Sequence, residues 1–378
     1  MGQLTQLRPY AGRLAVVVCA LVLAAGGWLV FGGGSPQADA FDDACEGVVA
    51  QRETKAVLGA GVQADEDEEA FSEGSLDGSK GTLQVGCDLV GEAPHVGEVS
   101  VDIYAVPTPK YERADQAGGR GLYGDLNTSR SVPLGRGWHG VFAEEADGDD
   151  AVATHVLLDC RKGRNDLLVK VKVELEESTT DNPDRRTAFA RIATATAANA
   201  SEHWRCDAPL GTRLRTVAQP VNEDEHIALA GADGTCAGVP VRSRDVTRAW
   251  ESARAGAPAE VCEVGDVLGE QRFRLSARYG PYAEAERYGA EQDDYDYEEP
   301  TPFQGAKGKL REGYWGTAKC PGSAGSATFA VLDSTGWDRE SAARGDYTKA
   351  DQTYARAALK AFATRSAKAH GCKAPVTP

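Results

Sequence analysis

Hydrophobic and polar positions alternate with period two in several stretches of this chain. Val99, Val101, Ile103 and Ala105 fall on one side of a strand, with Ser100, Asp102 and Tyr104 on the other. Val169, Val171, Val173 and Leu175 oppose Lys170, Lys172 and Glu174 in the same way. Phe273, Leu275, Ala277 and Tyr279 alternate with Arg272, Arg274, Ser276 and Arg278. One buried face and one wet face predict antiparallel sheets covered on one side by helices. Helical spacing supplies the cover. Ala44, Val48, Ala56 and Val57 predict a helix capped by Asp42 or Asp43 and ending near Leu58. Phe189, Ile192, Thr196 and Ala200 stripe a helix over about 184–204, and Tyr347, Tyr354 and Phe362 stripe the last one.

A different pattern stands near the start. Leu14 to Phe31 carry no charge and are long enough to cross a bilayer as a helix. Arg8 and Arg13 precede this stretch and Asp39, Asp42 and Asp43 follow it, which assigns residues 1–13 to the cytoplasm and everything beyond to the outside. Ala38-Asp39-Ala40 matches a signal peptidase site, with secretion after cleavage past Ala40 as the alternative. The apolar stretch exceeds a secretory core segment, and its length favours an uncleaved anchor. Cys19 reads as a buried membrane cysteine, and residues 32–40 as a flexible linker.

Past the linker the chain repeats itself. The interval from Thr187 to Cys206 equals that from Thr353 to Cys372, and both cysteines open Cys-x-Ala-Pro. Cys45-Glu46-Gly47-Val48 matches Cys236-Ala237-Gly238-Val239. These matches predict two tandem α+β modules, residues 41–212 and 213–378, each an antiparallel sheet packed by an N-terminal and a C-terminal helix. Each module carries four cysteines in the same order: Cys45, Cys87, Cys160 and Cys206, then Cys236, Cys262, Cys320 and Cys372. Neither Cys-x-x-Cys nor His-x-His occurs, so zinc spacing is missing and disulfides in an oxidising compartment are expected. Four cysteines allow three pairings in each module. Sequential pairing competes with a Cys87 to Cys160 bridge, both residues ending inward-facing strands.

Cys45, a helix ending Val57-Leu58-Gly59, a polar stretch, and then Cys87-Asp88 with an alternating strand resemble the start of exported actinobacterial proteins of unknown function, often lipoproteins, with a PsbP-like α+β fold. The resemblance implies a fold and a pairing of the first two cysteines, and thus sequential connectivity. It implies no activity.

Net charge of −16 argues against nucleic acid and against broad adsorption to anionic lipid or wall polymer. Gly119-Arg120-Gly121-Leu122-Tyr123-Gly124 has dinucleotide-loop spacing without the strand and helix that loop needs, and reads as a loop. Acidic runs at 65–69, 144–150 and 291–299 lack calcium-loop spacing and read as solvated. Tyr295 and Tyr297 make the last the best of them for meeting a basic partner. There is no Gly-x-Ser-x-Gly, Ser-x-x-Lys or His-Glu-x-x-His. His139 and His155 flank an acidic run and read as surface residues. The expectation is therefore a membrane-anchored, extracytoplasmic binding protein of the cell envelope, with an envelope protein or ligand as partner. No catalytic, cofactor or metal residues are assigned. The alternatives are an envelope hydrolase with its site in the first module, or a carrier of an apolar ligand.

Overall fold

The computed structural model describes residues 43–65, 70–91, 97–106, 130–144, 151–161, 165–175, 180–222, 224–254, 256–289, 303–322, 325–333 and 347–378. Its architecture is α+β, with two antiparallel sheets. The first contains β1 (Gln63–Ala64), β2 (Phe71–Glu73), β3 (Gln84–Gly91), β4 (Gly97–Val106), β5 (Ser131–Pro133), β6 (Gly140–Glu144), β7 (Ala151–Leu158) and β8 (Asp166–Leu175). Their order is β1-β3-β4-β8-β7-β6-β5, with β2 also on β3. The second contains β9 (Ile227–Ala228), β10 (Arg248–Glu251), β11 (Ala259–Gly265), β12 (Gln271–Tyr279), β13 (Lys307–Leu310), β14 (Gly313–Lys319) and β15 (Ser326–Asp333). Here the order is β13-β14-β15-β12-β11-β10-β9. In both sheets a hairpin (β3–β4, β11–β12) lies beside the last strand (β8, β15), which turns back on its predecessors.

Helix α1 is Gln51–Leu58, α2 Pro183–His203, α3 Pro281–Gly289 and α4 Lys349–Ala369. Asn182 caps α2 by accepting from the amides of Asp184 and Arg185, with Pro183 in the first turn where its missing N–H is harmless. Thr348 and Asp351 cap α4 reciprocally. Helices α1 and α2 cover the first sheet, burying Leu58, Phe189, Ile192 and Ala193 against Val85, Val101, Ile103 and Val171. Helix α4 covers the second, burying Leu359 and Phe362 against Phe273, Leu275 and Phe329.

The first helix is shorter than its pattern predicts. Cys45 (φ 50°) and Glu46 (φ 60°) take left-handed backbone, Asp43 makes no side-chain cap, and the α-helix begins only at Gln51. In the second module no helix follows Cys236. Pro240 and the turn around Ser243 (φ 45°) break it, and Arg242 instead reaches Asp351 of α4 at 2.7 Å. Tyr347 precedes the α4 cap and packs on the core rather than along the helix.

The bridges are Cys45–Cys87, Cys160–Cys206, Cys236–Cys262 and Cys320–Cys372. The first ties the chain ahead of the first sheet to β3, and the third ties the chain between β9 and β10 to β11. The second and fourth tie the end of α2 or α4 to the chain after β7 or β14. Each adds about 2–4 kcal/mol where unstrained.

The faces predicted to be wet are largely covered. Tyr104, Val106, Val141, Ala143, Leu157 and Leu168 of the first sheet form one cluster with Ala257, Ala259 and Tyr282 of the second half. Arg274 and Arg278 are buried on the second sheet's corresponding face. Glu286 of α3 meets Arg278 at 3.8 Å and accepts from Ser276 at 3.1 Å. Among the described residues no helix is long and apolar enough to cross a membrane. Residues 14–31, the predicted anchor, lie outside the described residues, as does the glycine-rich run 119–124.

Candidate functional site

Two places concentrate chemistry, and neither stands out as a sequence motif. The first is an open groove of about 540 Å³ between α1, α2 and the irregular segment following α2. Its floor is apolar, formed by Val49, Ala50 and Trp138, all 9% exposed or less. Trp138 donates its indole N–H to the Thr212 carbonyl at 2.9 Å. Gly211 makes that approach possible, because a Cβ there would sit 2.4 Å from the indole. This contact brings Arg213 to the rim beside Arg52. Glu53 holds both, accepting from Arg52 at 2.5 Å and from Arg213 at 3.3 Å. Burial pushes the Glu53 carboxyl up, but the two guanidinium groups outweigh it and hold it below its ordinary range. Arg191 of α2 lines the groove too, with Nε and Nη2 on the Leu214 carbonyl at 2.9 and 2.7 Å. Three arginines and one glutamate give the groove a local positive charge in a chain with 57 acidic and 41 basic residues.

The second place is a buried polar chain in the second module. Tyr279 Oη lies 2.5 Å from Ser366 Oγ, which donates to Glu260 Oε2 at 2.6 Å. Glu260 Oε1 meets His370 Nε2 at 2.9 Å, and Arg254 Nε lies 3.5 Å from the same carboxylate. The His370 ring stacks on Tyr279 with centroids 3.7 Å apart. Strand register pairs Cys262 with Leu275 and Cys87 with Val101, so these positions correspond to Val85, Ala105, Ala200 and Trp204 of the first module. There the set is apolar. A serine, a histidine and a carboxylate thus converge, but the carboxylate stands between the other two. A histidine that activates a hydroxyl must itself touch it. The strand alternation carried a signal for this cluster. Glu260 is two residues before the buried Cys262, which turns its carboxylate inward.

The eight bridging cysteines lie in or against the module cores, and Cys372 adjoins the polar chain, its Sγ 3.9 Å from the His370 carbonyl. His155, expected on a surface, is fully buried where the two halves meet, its Nδ1 3.3 Å from Tyr282 Oη. The apolar cluster from both halves closes over it, which a strand pattern within one module cannot foretell. His139 is half-buried. Burial pulls its pKa down to about 4, helped by nearby His370 and opposed by Asp159. Among the described residues no group of three or more histidine, cysteine, aspartate or glutamate side chains is placed to hold a metal. Of the acidic runs, residues 66–69, 145–150 and 291–299 lie outside the described residues.

No protein-family model matches the chain, and no curated protein matches it. A solved structure described as "The complex structure of Pseudomonas aeruginosa MucA/MucB" aligns over 72% of this chain and 86% of that one, at 11% identity and a TM-score of 0.12. A likeness at that score carries no argument about fold or function.

Proposed function

We propose that this is an exported binding protein of the cell envelope, anchored by residues 14–31, whose ligand site is the arginine-rimmed groove of the first module. The groove's make-up carries the reading: an apolar floor flanked by Arg52, Arg191 and Arg213 suits a ligand segment with an acidic group beside an apolar one. Four disulfides support an oxidising, extracytoplasmic location. The reading assigns no catalytic step, because the converging groups at Glu260 are in the wrong order and its serine and carboxylate are buried. Nor does it favour a lipid carrier, which needs an enclosed apolar cavity rather than an open, charged groove.

A photo-crosslinking residue replacing Gln51, which lines the groove and leaves all three arginines in place, tests this on intact cells. One discrete adduct, lost when Arg52→Gln and Arg213→Gln are added, is the expected result. No adduct, or adducts indifferent to the two arginines, contradicts it.

A further inference from the structure

We propose that the groove's occupant is the acidic tyrosine tract Glu291-Gln-Asp-Asp-Tyr-Asp-Tyr-Glu-Glu299 of a second copy of this chain. The inference rests on the groove being a binding site and names its partner.

Complementarity is the first ground. The tract holds six carboxylates in nine residues and two tyrosines. The groove offers what each needs. Arg52 and Arg213, 77% and 61% exposed, present guanidinium groups to carboxylates at the rim. Trp138, Val49 and Ala50 offer the floor an aromatic ring would cover. Glu53 already occupies one edge of each rim arginine, which fixes their direction and lowers the entropy lost on binding.

Geometry is the ground for a second copy. The Phe303 amide donates to the Arg287 carbonyl at 2.7 Å, so the chain between them starts and ends at one point. Such a closed excursion reaches at most about 25 Å, half its contour length. Helix α3, which leads into it, sits on the side of the first sheet that carries His155, through the contact of Tyr282. The groove lies on the opposite, helix-covered side. Crossing the depth of one sheet and one helix layer takes about 20 Å, which leaves almost nothing for travel around the sheet edge. A tract on another molecule meets no such limit. The pairing is heterologous, each copy giving a tract and receiving one.

The test uses the full chain in detergent and a fluorescein-labelled peptide of residues 290–302. Binding to the unaltered chain is expected, weakening as salt is raised, with at least a tenfold loss of affinity in the Arg52→Gln/Arg213→Gln variant. Both arginines are exposed, so that variant folds normally and circular dichroism confirms it. Two differently tagged full chains should co-purify, and cease to when Asp293, Asp294 and Asp296 are changed to asparagine. Peptide binding that is equal in the two chains, or absent, overturns the proposal, as does a failure of the tagged copies to co-purify. If the peptide fails while a crosslinker at Gln51 still captures a different envelope protein, the groove reading stands and the self-contact falls. If both fail, the groove reading falls as well.

Discussion

Burial holds two histidines neutral, and their titration ties stability to acidity. His155 is drawn down to about 3 by burial, with neighbouring Lys170 adding to the effect, and His139 to about 4. In the unfolded chain both bind protons near pH 6.5, so the unfolded state takes up more protons and stability falls as pH drops from 6.5 toward 4. Asp166 acts with the opposite sign. Burial lifts its carboxyl to about 6, against the amide of Cys160 that donates to it at 3.1 Å, so its penalty is full above pH 6 and gone below its ordinary range. Denaturant midpoints measured from pH 7.5 to 4 check both. His155→Phe is expected to flatten the acid loss, and an unchanged slope contradicts this. Asp166→Asn keeps the acceptor and is expected to add about 1–2 kcal/mol at pH 7.5, an advantage that vanishes by pH 4. At this scale the sequence was a partial guide. The alternation of Val99 to Ala105 located inward residues, whereas His155 depends on a neighbour more than a hundred positions away.

Among the elements, α2 and α4 follow their apolar stripes closely because caps and long-range packing agree with local propensity. The N-terminal elements diverge for local reasons: the bridge to Cys87 holds Cys45 in left-handed backbone, and Pro240 interrupts the second copy. The strand pair β11–β12 and helix α4 carry the polar chain at Glu260, where the first module has apolar residues. Glu260→Val alone leaves Ser366, His370 and Arg254 without their acceptor and is expected to destabilise by about 2–4 kcal/mol. Transplanting the first-module set, Glu260→Val with Tyr279→Ala, Ser366→Ala and His370→Trp, is expected to recover most of that loss, because of the groups that lose Glu260 only Arg254 then remains, and its Nη2 still donates to the Thr235 carbonyl at 2.8 Å. Urea unfolding of both variants decides it. A multiple variant less stable than the single one shows that the network stabilises by more than mutual satisfaction.

In the whole molecule, the repeated cysteine order made a duplicated plan legible, and the run β3-β4-β8-β7-β6 of one sheet has the order of β11-β12-β15-β14-β13 in the other, while their edges differ. What the pattern could not carry is the contact between the halves, since a face that reads as polar within one module is covered by the other. Arg130 links them, 2.7 Å from Glu263, which also meets Arg274 at 3.5 Å, and donating to the Val221 carbonyl at 3.0 Å. Arg130→Ala leaves Glu263 with one cation and is expected to cost about 2 kcal/mol and to separate the unfolding of the halves in calorimetry. A single transition of unchanged midpoint contradicts that. The groove was not legible at all, because Arg52, Arg191 and Arg213 converge only once Trp138 seats over Gly211. Beneath the proposed function lies the claim that each half is closed by its own two bridges in an oxidising compartment. Peptide mapping without reduction, on protein alkylated in intact cells, measures this directly. Cys45–Cys87, Cys160–Cys206, Cys236–Cys262 and Cys320–Cys372 are the expected pairs. Alkylated thiols at these positions, or a bridge from one half to the other, would contradict it.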